Sequence, residues 1–124
     1  MTDRVPTIVK KWCSAIKMRN PKLQLSFYSK HPVLMATFED MLVGREELYE
    51  YFIDFLDKKG LRCEIDRNVT IIDHDRDTQI ASGLYTFRFV DDEDEPQVVR
   101  ARYTFAICGG RIITQHSSVQ PENT

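Results

Sequence analysis

Val99 to Ser118 reads V-R-A-R-Y-T-F-A-I-C-G-G-R-I-I-T-Q-H-S-S. Two strand-like runs flank Gly109-Gly110, a hairpin signal in which glycine supplies the positive φ that a tight primed turn needs. In the first run Tyr103, Phe105 and Ile107 alternate with Arg102, Thr104 and Ala106, so the two sets face opposite sides of a sheet. An arginine is held among apolar residues in one strand, and His116 stands near the end of its partner. If both face one interior, they form a polar spot in an apolar cavity.

Working back from this hairpin, the pattern stays β to about residue 61. We expect strands at 62–73, 79–90, 98–108 and 111–119, with a polar turn at 75–78 and the acidic loop D-D-E-D-E before Pro96. In the strand at 62–73, Cys63, Ile65, Val69 and Ile71 are expected on one face, with Asn68 marking a bulge.

Before residue 61 the periodicity is helical. Val5, Ile8, Val9, Trp12, Ala15 and Ile16 form one apolar stripe over 5–18, with Asp3 as expected cap and Pro6 in the first turn. Asn20-Pro21 repeats that start for a short helix carrying Leu23, Phe27 and Tyr28, ending before His31-Pro32. Residues 33–38 and 41–43 read as a short hairpin. A third helix over 45–58 buries Leu48, Phe52, Phe55 and Leu56. Lys58 and Lys59 suit its negative end, and Gly60 its C′ position. A frayed tail is expected over 120–124. Helices followed by strands indicate α+β. The simplest arrangement is a long, curved antiparallel sheet forming a cone, with three helices on its concave face and the first filling the mouth.

The 124 residues suit a single domain over 1–124. The chain carries 17 basic and 19 acidic residues, a formal charge of −2, so no basic face invites nucleic acid. No apolar run is long enough to span a membrane, and no apolar signal core opens the chain. Cys13, Cys63 and Cys108 are odd in number and far apart, which predicts reduced thiols in a cytoplasmic setting. The scattered histidines form no metal motif, and neither a metal nor a cofactor is expected.

The motifs G-R-E-E-L-Y-E-Y-F at 44–52, S-G-L-Y-T-F at 82–87, A-R-Y-T-F at 101–105 and Q-H-S-S at 115–118, in this order, resemble the nuclear transport factor 2-like superfamily. Within it they are similar to the association, or hub, domain of calcium/calmodulin-dependent protein kinase II and its free-standing bacterial relatives. No kinase motif accompanies them. The resemblance implies a deep pocket that binds small carboxylates, with Arg102 as the anionic anchor and His116 beside it. It also implies self-association through the sheet, with rings of dimers in kinase hubs. The sequence departs from the family at Phe87, Gly110, Gln115 and Ser117.

These readings give two functional expectations. The first is a non-catalytic, homo-oligomeric module whose ligand site uses Arg102 for charge, His116 and Tyr85 for hydrogen bonds, and Trp12, Phe27 and Tyr28 as walls. The second is a small isomerase, cyclase or dehydratase with His116 as acid/base and Arg102 holding an oxyanion. Against both, Arg102 could face solvent, His116 could be structural, and the aromatics could be core. Apolar residues on both faces of the long strands (Leu84 and Val90 opposite Tyr85, Phe87 and Phe89) independently suggest that the outer face is covered by a second subunit.

Overall fold

The computed structural model describes residues 1–37 and 39–121. Its first helix, α1 (Thr7–Ala15), continues as a 3-10 turn over Ile16–Met18 and buries Val9, Trp12, Cys13 and Ile16. Asp3 does not cap it. Pro6 is the N-cap residue, and its carbonyl accepts from the N–H groups of Val9 and Lys10. The start is displaced because the preceding segment is tied to a strand edge. Thr2 exchanges both backbone hydrogen bonds with Thr70, and the Arg4 carbonyl accepts from Asn68 and Thr70.

Asn20 caps α2 (Pro21–Leu25) as expected, its side chain accepting from the N–H groups of Lys22 and Leu23. The helix is shorter than its apolar pattern, and Tyr28 opens β1 (Tyr28–Met35) instead. Hydrogen bonding of the Ile112 N–H to the Phe27 carbonyl, at 2.9 Å, draws the chain into the sheet at that point. Of the expected strand over 33–38, Phe38 lies outside the described residues. So does the expected tail beyond Pro121.

Next come β2 (Met41–Val43) and α3 (Arg45–Phe55), which buries Leu48, Phe52 and Phe55. Glu46 and Glu47 occupy its positive first turn. Gly60, with φ of 67°, lies past the C-cap Leu56 and serves the entry into β3 rather than the helix end. The long strands are β3 (Lys59–Asp73), β4 (Thr78–Val90), β5 (Pro96–Cys108) and β6 (Arg111–Val119).

Among the described residues, six strands form one sheet in the order β2-β1-β6-β5-β4-β3. It is mixed rather than wholly antiparallel, because β1 runs parallel to β6. The helices cover its inner face. Trp12 from α1 meets Tyr85, Phe87 and Phe105 with ring centroids 5.8, 6.4 and 5.4 Å away.

Two bulges decide which residues face the core. In β3 the pairs Ile65↔Tyr85 and Arg67↔Leu84 leave Asp66 unmatched. This bulge lies two residues before Asn68 and reverses the alternation. Leu61, Cys63 and Ile65 face inward ahead of it, but Asn68 and Thr70 do so after it. Val69 and Ile71 are therefore turned to the other face, contrary to strict alternation, and Ile71 is 57% exposed. In β6 the pairs Ile107↔Ile112 and Ala106↔Thr114 leave Ile113 unmatched. That shift makes Gln115 and Ser117 the inward residues. No helix among the described residues is long and apolar enough to cross a membrane.

Candidate functional site

The inner face holds a continuous polar chain within an apolar core. Trp12 Nε1 donates to the Tyr28 hydroxyl at 3.0 Å, and that hydroxyl donates to Gln115 Oε1. Gln115 Nε2 donates to the Tyr85 hydroxyl at 3.3 Å, which in turn donates to Ser117 Oγ at 2.5 Å. Ser117 Oγ also meets Thr37 Oγ1. Thus α1, β1, β4 and β6 each contribute to one network. Leu34, Phe52, Phe55 and Phe87 wall the small cavity beside it, which measures about 10 Å³. That is room for about one water molecule.

The lining determines what this interior can do. Among the described residues it contains no Asp, Glu, His, Lys or Arg. Burial pushes the Tyr28 and Tyr85 hydroxyls well above the ordinary phenol range, although the hydrogen bonds from Trp12 and to Ser117 act in the opposite direction. Both remain neutral hydrogen-bonding groups near pH 7. They offer neither a general base poised near neutrality nor a charge to balance a carboxylate.

Of the six residues expected at the site, the structure gathers three. Trp12, Tyr28 and Tyr85 share the interior network. Phe27 is half-buried against the same core, without a polar role. Arg102 and His116 do not join them. Arg102 lies on the outer face between Leu84 and Ser118, because its exposed position alternates with the buried Ala101 and Tyr103. His116 lies on the same outer face between Thr104 and Met35, because the bulge at Ile113 displaces it from the inward series. Gln115, Ser117 and Thr37 are the interior residues that the motif reading missed. Gln115 and Ser117 carried a signal, since both are positions where the sequence departs from the family it resembles.

A wider groove of about 290 Å³ opens beside the interior and shares Tyr51 and Phe55 with it. Among the described residues, Glu39, Glu47, Glu50 and Asp54 line this groove with one cation, Lys58. Its negative balance opposes an anionic ligand. Among the described residues no cluster of His, Cys, Asp and Glu could hold a metal ion.

No protein-family model matches the chain, and no curated protein matches it. Solved structures do. A Xanthomonas campestris protein named for the calcium/calmodulin-dependent protein kinase II association domain superposes with a TM-score of 0.85 at 28% identity, over 98% of this chain and 97% of that one. A ketosteroid isomerase-like protein from Erwinia carotovora atroseptica gives 0.75 at 13% identity, over 93% and 92%. A Bacillus subtilis protein named as an isomerase gives 0.70 at 16%, over 92% and 84%. At such identities the last two show the fold alone. The chain has the nuclear transport factor 2-like α+β fold, also called cystatin-like, and its resemblance to the kinase association domain runs along nearly its whole length.

Proposed function

We propose that this chain is a self-association module whose two copies pair through the outer faces of their sheets. The observation that carries this reading is the make-up of that face. Three rows cross it: Ile80–Ala106–Thr114, Ser82–Thr104–His116–Met35, and Leu84–Arg102–Ser118. Most of these side chains are short or apolar; the permanent charges are Arg102 and, where the third row continues onto β3, Arg67. Met35 and Ile80 are 47% and 40% exposed in the single chain. A two-fold interface brings a patch against itself, so it favours a largely uncharged surface over one of a single sign. Short side chains also let two sheets approach to about 10 Å. The association-domain neighbour supports the same reading.

Arg102 and His116 are then interface residues rather than ligand contacts. The interior cavity is a satisfied structural network, and a carboxylate pocket or a His116-based reaction draws no support from its lining. Light scattering on the purified chain tests the proposal. Twice the chain mass is expected, falling to one chain mass in Thr104→Arg with an unchanged circular dichroism spectrum. A wild-type protein that stays monomeric across micromolar concentrations overturns it.

A further inference from the structure

The structure brings together two cysteines that lie 50 residues apart in sequence, at the seam between α1 and β3. Cys13 is on the buried side of α1, next to Trp12. Cys63 is on the inward side of β3, ahead of the Asp66 bulge, and pairs in register with Phe87, the ring that Trp12 touches edge-on. Cys13 Sγ donates to the Cys63 carbonyl oxygen at 3.1 Å. The Cys13 sulfur thus lies against the backbone of Cys63, and the Cys63 side chain packs on the core cluster that contains Cys13. Neither belongs to the interior polar network, and Cys108 is remote and exposed.

We infer that Cys13 and Cys63 form an oxidation site, closing to an internal disulfide when the folded protein meets a peroxide. The inference rests on no part of the dimer reading, since both residues lie on the inner side of the sheet.

The two thiols are electrostatically unequal. The side-chain interaction with Cys63 holds the Cys13 thiol below its ordinary value, against burial and the nearby Glu64 and Asp66. Burial pushes the Cys63 thiol up, and the contact with Cys13 adds to the rise. Cys13 is thus the thiolate that reacts first and Cys63 the resolving group. In the first step the Cys13 thiolate attacks one peroxide oxygen. The O–O bond breaks, a sulfenic acid forms, and the departing hydroxide takes up a proton as water. In the second step the Cys63 sulfur attacks the Cys13 sulfur. The S–S bond forms, the S–OH bond breaks, and the leaving hydroxide carries the Cys63 proton away as a second water. Two thiols and one hydrogen peroxide give one disulfide and two waters; sulfur is oxidised and peroxide reduced. The product staples α1 to β3 and fixes Trp12 over the interior cavity.

Full-length Cys108→Ser isolates the pair without touching the core. The folded variant is treated with hydrogen peroxide, then denatured and alkylated with iodoacetamide. Intact mass and peptide mapping should show a chain lighter by two hydrogens, unalkylated, with the Cys13 and Cys63 peptides linked until dithiothreitol separates them. The thermal midpoint of the oxidised form should rise by on the order of 10 °C, because the bridge restricts a long loop of the unfolded chain. Recovery of both cysteines alkylated overturns the inference. So does a sulfinic acid on Cys13 beside an alkylated Cys63, since that shows a thiol with no resolving partner in reach.

Discussion

Gly83 stands in the middle of β4, where a methyl group has no room. A Cβ there would come within 2.0 Å of the Arg67 carbonyl oxygen and 2.7 Å of the Tyr103 hydroxyl. That hydroxyl is held in place, donating to Asn68 Oδ1 at 2.6 Å. Gly83→Ala should therefore cost about 3 kcal/mol through forced displacement of packed groups, measured as a lower urea midpoint; a change near zero would mean that β3 yields freely. The sequence displays this glycine inside S-G-L-Y-T-F, but its reason depends on Arg67, placed by a bulge at Asp66 that the sequence reading put at Asn68. Arg102 teaches the converse. Its alternation with Tyr103, Phe105 and Ile107 already assigned it the less apolar face, and family resemblance argued the other way. Composition of the two faces was the better guide at that residue.

At the scale of elements, the start of α2 was legible and its end was not, while the cap of α1 was misplaced at Asp3. Asn20 caps α2 through two backbone N–H groups, at 3.1 and 3.2 Å. Asn20→Ala should thus lower stability by about 1 kcal/mol, checked by thermal melting against wild type. The helix pattern nevertheless ran on to Tyr28, because amphipathic spacing continues past the point where pairing with β6 takes over the backbone. The same limit applies within strands. Alternation counted from Ile112 would send Thr114, His116 and Ser118 inward. One extra residue, Ile113, hands that role to Gln115 and Ser117. The bulge at Asp66 does the same for Asn68 and Thr70. A period-two reading has no means of detecting a one-residue insertion, yet each insertion reverses everything downstream of it.

For the whole molecule, the order of helices and strands and the α+β class could be read from the sequence, since long periodic segments carry strong signals. The parallel pairing of β1 with β6 could not, because it joins segments about eighty residues apart without a local cue. Tyrosine burial gives this scale its own prediction. Tyr28, Tyr51, Tyr85 and Tyr103 all have hydroxyls pushed above the ordinary phenol range, in each case mainly by burial. Their protonated forms are favoured in the folded state, so their contribution is intact below about pH 10, the unfolded value. It is lost as pH rises from there towards the raised folded-state values, because the unfolded chain releases those protons first. Stability should fall steadily above pH 10, and most phenolate absorbance should appear together with loss of the circular dichroism signal. Full phenolate absorbance in a still-folded protein would contradict this.

The parallel seam between β1 and β6 also sets a timetable. On a ribosome the helices and β1 emerge first, but Leu34 waits for Gln115 and Tyr28 waits for Ile112 before the sheet can join. The aromatic side of α1 remains without most of its β4 and β5 partners until the last strands are made. Such late, distant pairing predicts slow folding and a nascent chain with exposed apolar surface. Holdase chaperones would find their target in that first half.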